Sequence, residues 1–133
     1  MKSISIAFLT AAFAIALSSC KNTVNTPIGD IVFPASNVSY SVHVQPLFNV
    51  GCISCHNDGI NGPAEGGLNL TNYISATTSV SGLILTNGDT THSVFVQWIE
   101  GKYIHDDTPF LSVLTLNQIQ GLKTWVKEGA RNN

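Results

Sequence analysis

Apolar positions along this chain fall into one continuous run and three groups with helical spacing, separated by polar stretches. The run, from Ile4 to Leu17, is almost unbroken, yet shorter than the ~20 residues a helix needs to cross a bilayer. Polar residues dominate 21–39, where Asn, Thr, Ser and Pro are frequent and apolar residues follow no period. The first helical group is 41–50, with Val42, Leu47 and Phe48 as apolar contacts and Pro46 tolerable only in a first turn; Gly51 ends it. The second is 91–100, where Thr90 or Thr91 caps the stripe Val94, Phe95, Trp98 and Ile99, and Gly101 stops it. In the third, Thr115 and Gln118 form a capping box, Ile119, Leu122, Trp125 and Val126 make one face, and Gly129 closes the helix. No series of alternating positions competes with these helices, so the expected fold class is all-α. Two long stretches, 57–81 and 102–114, carry no regular pattern. Stretches of that length in a small domain are unusual unless something binds inside them.

Charge and processing signals change the picture at the N-terminus. Met1-Lys2 followed by the apolar run has the form of an export signal. The run ends in Leu17-Ser18-Ser19-Cys20, which resembles a bacterial lipobox, in which the signal is cut before the Cys and that Cys receives lipid. The expected organisation is a signal peptide over 1–19, a lipidated Cys20 with a flexible tether over 20–39, and a single domain over 40–133. An ordinary signal peptide with a nearby free Cys, or a retained membrane anchor, is the competing reading. The expected location is the cell envelope, anchored to a membrane and facing periplasm or cell surface. Six Lys and Arg stand against eight Asp and Glu; removal of Lys2 with the signal makes the balance about −3. No basic patch forms, which excludes nucleic acid as the expected partner.

The most specific chemistry lies in Cys52-Ile53-Ser54-Cys55-His56. Two thiols three positions apart on one turn can each add to a vinyl group of the same haem edge, and the adjacent imidazole can then reach the iron. This pentapeptide is the signature of c-type haem attachment. Three other chemistries use similar residues. A zinc site needs a fourth ligand, and a second C-x-x-C or H-x-x-x-H is absent. A thioredoxin-like C-x-x-C follows a strand, which this pattern lacks. A disulfide gives no reason for His56. The chain has three cysteines, and with Cys20 assigned to lipid the other two both fall in the motif.

With these residues in place, the chain resembles a family of small monohaem c-type cytochrome domains found in bacterial lipoproteins. The resemblance runs through Val44-Gln45-Pro46-Leu47-Phe48, Cys52 to His56, Gly66-Gly67-Leu68-Asn69-Leu70, Leu114-Thr115 and Trp125-Val126-Lys127-Glu128-Gly129-Ala130, in that order over residues 40–130. It implies a cytochrome c-like fold of about three helices around one covalent haem c, with first and last helices packed together. Trp125 would then lie near the haem or that junction, or be plain core. Cys52 and Cys55 would bind the haem, His56 would ligate the iron, and Gly62-Pro63 would either supply a carbonyl to the other ring nitrogen or be an ordinary loop Gly-Pro. The chain departs from the family at Thr108-Pro109, where a Met-Pro is usual. Its one Met is Met1, which leaves with the signal, so no Met is left to ligate iron. Of the four His, His105 is the preferred sixth ligand, His92 the alternative and His43 third; a non-histidine group or an open site remains. Asp106 and Asp107 would orient His105 or simply solvate a loop. The expected function is electron carriage between redox partners, without catalysis. A haem enzyme or gas sensor with an open distal site is the alternative, and a non-haem surface lipoprotein is the third.

Overall fold

A computed structural model describes residues 27–57, 67–78, 83–103 and 114–133. Among these the regular structure is helical and no strand occurs, as the pattern of apolar positions requires. A 3-10 turn, Ile28–Asp30, comes first. A π turn, Tyr40–Val44, runs directly into α1 (Gln45–Gly51). Then come α2 (Tyr73–Thr78), α3 (Val94–Ile99) and α4 (Leu116–Lys127).

Local chemistry explains most of these boundaries. The π turn begins at Ser39, whose hydroxyl accepts from the Val42 N–H. Pro46 is the second residue of α1 and lies in its first turn, as its sequence requires. The wide turn before it absorbs the missing N–H and the clash a proline ring makes with the carbonyl four residues back. Helix α3 starts later than expected, because Ser93 and not Thr90 or Thr91 caps it, accepting from Val96 N–H while donating to Leu83 O. Its buried face is accordingly Phe95, Val96 and Ile99. Helix α4 has the predicted box: Thr115 Oγ1 accepts from Gln118 N–H, and Gln118 Oε1 accepts from Thr115 N–H. At its other end Gly129 N–H donates to Val126 O and Ala130 N–H to Trp125 O. This is the Schellman pattern, and it places Gly129 at φ +93°.

The core lies where α1 and its π turn meet α4. Trp125 and Phe48 are wholly buried, their ring centroids 6.4 Å apart, and Tyr40 lies 5.6 Å from Trp125. Phe95 of α3 meets Phe48 edge-on at 5.9 Å. Trp125 is thus part of the junction of first and last helices, with its indole N–H donating to Arg131 O. The stretch expected to be a tether is part of the folded body from residue 27 on. Ile31, Phe33 and Val38 are all buried. Asn117 pairs with both the N–H and the C=O of Phe33, and Gln118 donates to Ile28 and Ile31 carbonyls. The Glu128 carboxylate accepts from the Asn37 and Val38 N–H groups. Residues 21–26 and Cys20 lie outside the described residues.

Candidate functional site

The motif leaves α1 as one further helical turn. Cys52 N–H donates to Phe48 O, so the chain is still coiled as it enters the pentapeptide. Cys55 N–H and His56 N–H then both donate to Cys52 O, at 3.2 and 2.9 Å. Residues at i, i+3 and i+4 of such a turn share a side, with Cβ atoms about 5–6 Å apart. Cys52, Cys55 and His56 therefore belong to one turn of backbone. Asn57 ties off the turn with its side-chain amide on the Ile53 and Ser54 carbonyls.

Both thiols are free of any disulfide and half-buried, and Cys52 and Ile53 pack against the apolar core. Burial pushes the Cys52 thiol up to about 12, so near neutrality it is protonated. His56 and Asn57 are buried. Among the described residues no group of three or more His, Cys, Asp or Glu is arranged to hold a metal ion.

The Gly-Gly-Leu-x-Leu segment reaches the motif through its backbone: Leu70 N–H donates to His56 O at 2.9 Å. Leu68 and Leu70 are buried on either side of Asn69, whose carboxamide accepts from Thr71 N–H and Oγ1–H. Sequence reasoning missed Gln45, which bridges α1 to this segment by donating to Leu70 O at 3.1 Å and to Asn49 Oδ1 at 2.7 Å. The i, i+4 spacing of Gln45 and Asn49, two amides on one helix, was the available signal. Tyr40 donates its phenol proton to Gln45 Oε1. Burial and the neighbouring Tyr73 push that phenol up to about 12, so it remains a donor.

The other histidines take distinct places. His92 stands in solvent on the turn before α3, its side chain 79% exposed and its Nδ1 2.7 Å from Asp89 Oδ2. That contact holds the Asp89 carboxyl below its usual range. His43 is half-buried in the π turn, its Nδ1 against the Ser39 backbone and its ring 5.7 Å from that of Phe33. His105, Asp106, Asp107, Thr108, Pro109, Gly62 and Pro63 lie outside the described residues. No described helix is long and apolar enough to cross a membrane. No family model, curated protein or solved structure matches the chain.

Proposed function

We propose that the protein is an exported, lipid-anchored monohaem c-type cytochrome that carries single electrons between redox partners. The observation that carries this reading is the gathering of Cys52, Cys55 and His56 on one turn seated against the apolar core. Two unbonded thiols and an adjacent imidazole fit a haem held by two thioether links with His56 on the iron. Bound there, the group would supply one-electron chemistry at the iron. The chain's own part is to hold the imidazole, exclude water and set the local charge. No Lys, Arg, Asp or Glu occurs between Asp30 and Asp58, so the attachment turn and the helix before it are uncharged. That suits brief contacts with redox partners that depend little on ionic strength. The lipobox-like Leu17-Ser18-Ser19-Cys20 supports anchoring at Cys20 and a place in the cell envelope.

Intact-mass and absorption measurements on protein matured with a working haem-attachment system test this. One haem per chain that resists acid extraction is the expected result, with single-thioether species in Cys52→Ala and Cys55→Ala. Bare polypeptide with lipid alone overturns it. The absence of a Met beyond Met1 sustains a second reading, a haem enzyme or gas sensor with an open distal site. A high-spin ferric spectrum and ready binding of cyanide or carbon monoxide would favour that reading. A low-spin spectrum unmoved by them favours the carrier, with His105 first among distal candidates and His92 second. Two His ligands would lower the potential relative to His/Met.

A further inference from the structure

We infer that Gln45 is a positioning residue for the His56 imidazole, acting through the backbone of Leu70. The inference rests on the reading of His56 as iron ligand given above. Its basis is a chain of hydrogen bonds from α1 to the attachment turn. Gln45 Nε2 donates to Leu70 O at 3.1 Å and to Asn49 Oδ1 at 2.7 Å, while Gln45 Oε1 accepts from the Tyr40 hydroxyl. This pattern fixes which way the carboxamide points. Reversed, its oxygen would face the Leu70 carbonyl oxygen and the Asn49 Oδ1, two acceptors with no proton between them.

Leu70 is consequently held at both ends of its residue. Its carbonyl is taken by Gln45 and its N–H is given to His56 O at 2.9 Å. Its side chain, like that of Leu68, is only 2% exposed, so the segment cannot shift without opening the core. His56 is in turn fixed from two directions: its N–H donates to Cys52 O and its C=O accepts from Leu70. The main chain of His56, whose side chain is buried, is thus held on both sides. The stretch of main chain from which the His56 ring projects is therefore fixed partly by a glutamine on the preceding helix. Groups that orient a histidine ligand tune the metal it holds.

The test uses the holoprotein and three variants. Gln45→Leu removes the amide at similar size. Gln45→Glu keeps an acceptor for Tyr40 but loses the donor to Leu70. Ile99→Val loosens the core on α3 without touching the clamp. In Gln45→Leu and Gln45→Glu the Leu70 amide should exchange with solvent about tenfold faster, as expected when one part-buried hydrogen bond is lost. The paramagnetic shifts of the four haem methyls, which report the imidazole plane, should redistribute in the ferric state. Ile99→Val should leave both as in the parent. Unchanged Leu70 exchange and methyl shifts in the Gln45 variants overturn the inference, as does an equal change in Ile99→Val. A chain that matures without haem defeats the proposed function separately. In that chain Leu70 exchange and the His56 ring-proton shifts decide the matter: movement in the Gln45 variants alone supports the clamp, and none overturns it.

Discussion

A methyl group added at Gly121 would lie 2.1 to 2.3 Å from Cγ, Cβ and Cδ1 of Phe33. Alanine is preferred over glycine in a helix interior by about 1 kcal/mol, so packing is what explains a glycine in the middle of α4. Phe33 has little room to retreat, since Asn117 holds its N–H and C=O at 2.8 and 2.9 Å. Gly121→Ala should therefore destabilise the protein by about 1–3 kcal/mol, the usual cost of overpacking. In a Phe33→Ala background the same change should be neutral or stabilising, because the clash is gone and the helix preference remains. Urea unfolding of the four proteins measures the coupling, and an equal cost in both backgrounds would refute it. None of this was legible in the sequence. Phe33 ends the short apolar run Ile31-Val32-Phe33, which has no helical period, and its partner lies almost at the other end of the chain. Cys52, Cys55 and His56, by contrast, could be singled out from the sequence because their spacing puts them within a single turn.

Elements whose ends are decided by neighbours in sequence were the readable ones. The Thr115–Gln118 box and the Gly129 stop each involve residues within a few positions of one another, so composition and order suffice. Helix α2 escaped notice because it is only six residues long and begins with an aromatic and a β-branched residue; Asn72, accepting from Ser75 N–H, starts it. The start of α3 was misjudged for a tertiary reason, since Ser93 is fully buried and anchored on Leu83 O. The link between α3 and α4 is also tertiary: Glu100, at the C-cap of α3, meets Lys123 of α4 and, 2.7 Å away, Lys102. Hydrogen bonds to Lys102 and then Lys123 hold the Glu100 carboxyl below its usual range. A carboxyl lowered by folding adds stability above its unfolded pKa, and that stability is lost as pH falls through the folded value. Glu100→Gln should accordingly be less stable than the parent near neutrality, and the two should converge below the ordinary glutamate range. The gap should also narrow in 1 M salt, where the Debye length falls to about 3 Å. A gap that persists unchanged at low pH in urea titrations would contradict this role.

For the molecule as a whole, the unexpected feature is that the segment leading into the first helix is held by the last one. Gln118, fully buried, spends its amide on Ile28 and Ile31; Asn117 grips Phe33; Glu128 holds Asn37 and Val38. Three side chains of this segment are buried, each contributing about 1.5–3 kcal/mol, against a total stability of about 5–15 kcal/mol for a domain of ordinary size. Removing the segment would also leave Gln118 without its carbonyl acceptors and uncover the face of α4 around Gly121. A chain starting at Ser39 should then melt more than about 15 °C below one starting at Pro27, at about 4–8 °C per kcal/mol, or show no cooperative transition at all. Calorimetry on the two chains, both carrying Cys52, Cys55 and His56, makes the comparison. Equal melting temperatures would mean that residues 27–38 only lie against α4, and that the helices around Trp125 and Phe48 sustain the attachment turn by themselves.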